Sequence, residues 1–262
     1  MQRDLDCCRG IEYDCDGRRW IAHETGCQTF EILMDEGLGM AGRETGAVRH
    51  ILRDYPQARR TGMLISADCE TGGLEPTAPL LQLTLWQPNG PCFDERIRAD
   101  PAACHPRALQ ANGLDPTVGG TEAEVAAKLV TWWKGIGSPQ FHLIGQNVGP
   151  FDVPFMKRLT RVGVDVPWGM MFDYHYRDVA TLALAMQDAG ILHFGKWSLT
   201  NICQVLGILY DPHICRADAK AAWYAWHRLA EVLACLKKSG GCGDGHCPGK
   251  IREHLPALDL RG

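Results

Sequence analysis

The chain has 262 residues, 45% of them hydrophobic, and a formal net charge of −4. That balance supports one sizeable folded core and excludes wholesale disorder, and no apolar run reaches the length of a membrane span. The opening MQRDLDCCRG lacks the apolar stretch of an export signal, so the expected location is cytoplasmic; twelve cysteines without C-x-x-C spacing then read as reduced thiols.

Residues 1–60 hold many charges and few periodic runs, and read as a poorly organised, dispensable extension with one helix expected near Ala47 to Arg59. Within it, Gly37-Leu-Gly39-Met-Ala-Gly42 has the spacing of a dinucleotide fingerprint, but Asp35 and Glu36 would repel a pyrophosphate there. Residues 61–238 read as the organised domain. Met63 to Asp68 is an apolar run suited to a buried strand, and Leu80 to Gln87 alternates like a second. Cys92 to Ile97 is expected as a third strand after the Pro-Asn-Gly turn at 88–90. Thr121 to Trp133 is expected as a helix with a capping box formed by Thr121 and Glu124. Phe141 to Asn147 reads as a buried strand, Phe151 to Val162 as a helix and Tyr174 to Asp178 as a short strand. Helices are expected at Ala180 to Asp188, Leu199 to Leu206 and Ala217 to Lys237, the last with Ala219, Trp223, Trp226, Ala230 and Leu233 on one apolar face. Residues 239–262 form a Gly- and Cys-rich tail of flexible composition. Strands followed by mixed helices and strands indicate an α/β or α+β sheet domain.

Three acidic segments stand out. In Asp68-Cys69-Glu70-Thr71-Gly72-Gly73-Leu74, a strand points Asp68 and Glu70 to one face and Cys69 to the other. Adjacent carboxylates repel, and a divalent cation with oxygen ligands removes that cost. Asn147-Val-Gly-Pro-Phe151-Asp152 ends a strand and opens a helix with an Asp, which by itself only suits a helix N-terminus. His213 precedes Asp218 by five residues at the start of the last helix; a lone loop histidine is ordinarily just a loop residue.

In order and together, these segments resemble the DnaQ-like, DEDDh group of 3′→5′ exonucleases: D-x-E-T at Asp68 to Thr71, N-x-x-x-F-D at Asn147 to Asp152, and H-x-x-x-x-D at His213 to Asp218. The resemblance spans about Met63 to Leu236, with further matches at Ala108 to Leu114, Asp178 to Ala183 and Ser198 to Ile208. Gly72 departs from it, because cellular proofreading members usually carry a second Thr there. The resemblance implies a ribonuclease H-like fold: a mixed five-stranded sheet flanked by helices, with Asp68 and Glu70 on the central strand. It implies two Mg²⁺ or Mn²⁺ ions held by Asp68, Glu70, Asp152 and Asp218, with Asp68 bridging and His213 as general base. It also places Thr71, Gly73, Leu74, Asn147 and Phe151 beside the terminal nucleotide. The implied partners are single-stranded DNA or RNA 3′ ends and, in proofreading relatives, a DNA polymerase; other relatives process RNA or are phage-encoded. An alternative of another class is an inactive accessory subunit that binds a polymerase, against which the complete set of five residues argues. Lys157, Arg158 and Arg161 form a basic run that either tracks phosphates or is a solvated helix face.

Cys235, Cys242, His246 and Cys247 have the right number of ligands for zinc, but their gaps match no knuckle and His246 and Cys247 are adjacent. They are expected to be plain tail residues, as are Cys7, Cys8, Cys15, His23 and Cys27 in the extension. Leu258-Asp259-Leu260 bears a faint likeness to sliding-clamp peptides but lacks their Gln and final aromatic.

Overall fold

The computed structural model describes residues 62–162, 166–238 and 257–261, and the backbone of 11–15 and 18–22. The helix expected near Ala47 to Arg59, the Gly37–Gly42 motif and the side chains of both cysteine groups lie outside the described residues. Strands β1 (Ile11–Cys15) and β2 (Arg18–Ala22) pair antiparallel.

The main sheet has five strands: β3 (Gly62–Thr71), β4 (Leu80–Trp86), β5 (Cys92–Arg96), β6 (Gln140–Gly145) and β7 (Arg177–Asp178), in the order β5-β4-β3-β6-β7. The pairs β3–β4 and β4–β5 are antiparallel, while β3–β6 and β6–β7 are parallel. This is the mixed, five-stranded α/β fold expected, with β3 at its centre. The Pro-Asn-Gly turn closes the β4–β5 hairpin, with Asn89 at φ 53°.

Helices cover both faces. Helix α1 (Pro106–Asn112) is capped by the His105 side chain and ends at Gly113, whose φ of 65° suits glycine. Helix α2 (Glu122–Gly135) starts at the expected capping box, with Thr121 N–H donating to Glu124 at 2.7 Å and Glu124 N–H to Thr121 at 3.2 Å. Helix α3 (Asp152–Leu159) is shorter than its apolar spacing suggests, because the chain turns at Thr160, whose hydroxyl donates to the Lys157 carbonyl. Helix α4 (Trp168–Met171) follows. On one face, α2 and α3 pack Val125, Leu129, Trp133, Phe155 and Met156 against Ile65, Ala67 and Cys69 of β3 and their neighbours. On the other, α5 (Val179–Asp188), α6 (Leu199–Val205) and α7 (Cys215–Lys238) bury a second cluster against Ile144 and Leu64.

The buried stripe of α7 differs from the one read from spacing. Ala219 is buried as expected, together with Ala222, Ala225, Leu229 and Val232, whereas Ala230 and Leu233 are exposed and Trp223 and Trp226 are half-buried. The helix lies close over β3 and β4, so small alanines face the sheet and the large rings flank it; Trp223 meets Trp86 edge-on at 6.2 Å. Between α6 and α7, the two-residue strand β8 (Ile208–Leu209) pairs in parallel with β9 (Leu258–Asp259). Composition alone reads β9 as part of the tail. No helix among the described residues is long and apolar enough to cross a membrane.

Candidate metal centre

The alternation of β3 sets the site. Ile65, Ala67 and Cys69 turn into the first core, so Asp68 and Glu70 turn toward α7. The register with β4 shifts between Glu70 and Thr71, an irregularity of the kind that re-aims side chains at the end of a ladder. On its other side, β3 pairs with β6 only as far as Ser66 opposite Ile144. Beyond that point the chain leaves β6 through Gly145. A Cβ there would lie 2.8 Å from the Ala67 carbonyl oxygen, so the turn needs glycine. Asn147 follows in the left-handed region at φ 55°, and its carbonyl accepts from Phe151 N–H at 3.0 Å. Val148 N–H donates to Asp178 at 3.0 Å, and Asp178 also caps α5 by accepting from Thr181 N–H at 2.8 Å. The loop is thus anchored, and it delivers Asp152 to the gap left where β6 ends. There the backbone N–H and the thiol of Cys69 lie against the Asp152 carboxyl and favour its charged form.

Helix α7 brings the remaining carboxylate. Asp218 sits in its first turn, where the Tyr210 hydroxyl and the backbone N–H groups of His213 and Ile214 favour its charged form. Tyr210 Oη also lies 3.2 Å from Thr200 Oγ1. The Cys215 thiol donates to the Asp68 carbonyl at 3.1 Å, tying the helix start to β3. His213 is exposed, in the left-handed region at φ 64°. Carboxylate oxygens of Asp68, Glu70 and Asp218 all lie within 4.8 Å of one another. Asp152, only 2% exposed, stands beside this group rather than within it. Tyr210 and Cys215 escaped the sequence reading. Tyr210 lies two residues beyond the matched stretch ending at Ile208, but its approach to Asp218 is visible only in the fold.

The four carboxyls crowd one another. Burial holds Asp68 well above the usual carboxylate range, and Asp152, Asp218 and Glu70 push it the same way. Burial, then Asp218, raises Glu70 to about 7. Burial also raises Asp152 and Asp218, partly offset by the Cys69 bonds in one case and by Tyr210 and the backbone donors in the other. A cluster of oxygen donors that resists holding its own charge suits a hard divalent cation, which neutralises the repulsion.

The loop after β3 forms the adjoining wall. Thr71 is buried and its hydroxyl donates to the Gly73 carbonyl at 2.6 Å. Asn112 Nδ2 donates to the Thr71 carbonyl at 3.1 Å, joining α1 to the end of β3. Gly72 N–H donates to Pro79 at 2.7 Å, and a Cβ on Gly72 would meet the Cys104 sulfur at 2.8 Å. The Cys104 sulfur leaves no room for a side chain at Gly72 without a shift, in keeping with glycine at this departure from the D-x-E-T-T pattern. Leu74 is 82% exposed, and Phe151 is half-buried against Phe155 at 5.4 Å. The basic run divides. Arg158 donates to the carbonyls of Pro76 and Ala78 at 2.7 and 2.8 Å and pairs with Glu122 at 3.2 Å, so it holds this loop. Lys157 sits 5.5 Å over the Trp168 ring, and Arg161 is exposed.

Neither a protein-family model nor a curated protein sequence matches the chain. Solved structures do match. E. coli exonuclease I in complex with a 5cy-dT13 oligonucleotide aligns with TM-score 0.52 and 16% identity, over 67% of this chain and 43% of that one. A product-bound exonuclease I aligns with TM-score 0.52 and 15% identity, over 67% and 46%. The chain spans less than half the length of these proteins. What it shares with them is the fold, a mixed five-stranded sheet with flanking helices of ribonuclease H-like type.

Proposed function

We propose that the chain is a metal-dependent 3′→5′ exonuclease of DEDDh type, which hydrolyses single-stranded DNA or RNA from the 3′ end and releases nucleoside 5′-monophosphates. The observation that carries this reading is the convergence of Asp68, Glu70 and Asp218 within 4.8 Å, with Asp152 buried beside them, at the end of the central strand of an exonuclease I-type fold. Every donor is a carboxylate oxygen, which fits Mg²⁺ or Mn²⁺.

In this reading Asp68, Glu70, Asp152 and Asp218 would hold the divalent cations. When bound, two such ions supply Lewis acidity to the phosphoryl oxygens and lower the pKa of water. The chain's residues do the rest. His213, exposed in the loop before Asp218, takes the proton of the attacking water. Tyr210 and two backbone donors keep Asp218 oriented. Phe151 and the wall from Thr71 through Gly73 to Leu74 receive the terminal nucleotide, and Asn147 shapes the loop that presents Phe151. Single-stranded DNA is the first substrate to try, since exonuclease I structures hold dT13 and dA13 oligonucleotides. The complete carboxylate set weighs against the inactive, polymerase-binding alternative.

The test incubates the protein and Asp68→Ala with Mg²⁺ or Mn²⁺ and 5′-labelled DNA and RNA oligonucleotides, beside an EDTA control. The expected result is a ladder shortening from the 3′ end, lost in both controls. Full activity in Asp68→Ala, or no ladder with folded, metal-loaded protein, overturns the assignment.

A further inference from the structure

Strand β8 is two residues long and, among the described residues, pairs only with β9. Leu258 N–H donates to the Gly207 carbonyl at 3.0 Å and Leu260 N–H to the Leu209 carbonyl at 2.7 Å. The Leu260 side chain packs against the second apolar cluster, alongside Ile208 and Tyr210. Arg261 closes on Asp259 at 2.6 and 2.8 Å and is attracted by Asp211 as well. The loop that follows β8 carries Tyr210, whose hydroxyl lies against Asp218 and favours its charged form, and His213. So short a strand has little pairing of its own to hold such a loop in place.

We infer that Leu258 to Arg261 form a strap that positions the loop carrying Tyr210 and His213, and so sets the rate of the chemical step rather than the affinity for substrate. This rests on the proposed catalytic roles of His213 and Asp218. None of the strap residues belongs to the metal centre; they act through β8 and Asp211.

The test uses the full chain carrying Leu258→Pro with Leu260→Pro, which removes both donated hydrogen bonds. Amide hydrogen exchange over residues 207–214 should accelerate at least roughly tenfold while the core strands stay protected. On a labelled oligonucleotide with saturating metal, kcat should fall about 10–100-fold, the scale of a 1 Å misplacement. KM should stay within about twofold. Millimolar peptide PALDLRG (residues 256–262) added in trans should recover part of the lost kcat. Arg261→Glu, which keeps both donors but sets like charges against Asp259 and Asp211, should act in the same direction with smaller size and serves if the double variant does not fold. Unchanged exchange over 207–214 overturns the strap, and so does a raised KM at constant kcat. If the unmodified chain cleaves nothing, the proposed function fails, and the exchange measurement still decides the strap.

Discussion

Neutralising Glu70 should stabilise the metal-free protein while removing its response to metal. The Glu70 carboxyl is raised from 4.5 to about 7, first by burial and then by Asp218. At about 1.4 kcal/mol per pKa unit, that corresponds to ~3 kcal/mol of preference for the neutral form. Glu70 keeps some contact with solvent, so about 2 kcal/mol is the better expectation. A folded pKa above the unfolded one means that stability is fully present below about pH 4.5 and is lost as pH rises through about 7. Glu70→Gln removes this loss, and it also relieves Asp68 and Asp152, both of which Glu70 repels. In EDTA at pH 8 the variant should therefore melt about 4–8 °C above the unmodified chain. The gap should close toward pH 4.5, where the original carboxyl is itself protonated. Added Mg²⁺ or Mn²⁺ should raise the melting temperature of the unmodified chain at pH 8 and do little for the variant. Thermal melts at several pH values, with and without metal, test this directly. A variant no more stable than the original in EDTA at pH 8, or an advantage that grows toward acid, would refute the account of a site held under carboxylate repulsion.

Three further outcomes follow from particular contacts. His213→Ala should lower kcat about 10²–10⁴-fold, with a residual rate that climbs with pH as hydroxide replaces the lost base; single-turnover cleavage across pH checks this, and an unchanged kcat removes His213 from the mechanism. Gly72→Thr should cost about 1–3 kcal/mol in urea unfolding because its Cβ meets the Cys104 sulfur. Cys104→Ala should recover part of that cost, and simple additivity of the two changes would show that the contact is not responsible. Arg158→Ala withdraws the donor shared by Pro76 and Ala78 and should cost about 1–2 kcal/mol while raising KM through a looser 74–79 loop; a lower kcat at constant KM would point elsewhere.

Much of this architecture is legible in the chain because it depends on neighbours a few residues apart. The period-two pattern around Asp68 and Glu70 sets which face of β3 they occupy, and the Thr121–Glu124 pair marks where α2 begins. The acidic segments also supply the carboxylates that meet, Asp68, Glu70 and Asp218, with Asp152 beside them. Other features depend on elements far apart in sequence. Asp152 reaches Cys69 because β6 stops short beside β3, and Tyr210 finds Asp218 through a loop whose shape no local pattern specifies. Cys215 bonds to Asp68 across 147 positions. The inward face of α7 follows the spacing only at Ala219: apolar composition favours tryptophan as the buried residue, while the close approach to β3 and β4 places small alanines inward and leaves Trp223 and Trp226 half-buried at the flank. Strand β9 sits in a stretch whose composition suggests no order, and its partner β8 is fifty residues earlier. By itself, then, the sequence determined periodicity, caps and the identity of the acidic residues, all properties of local backbone geometry. Tertiary structure decided which polar atoms those residues meet, because such contacts depend on where each strand ends and how closely a helix packs upon it.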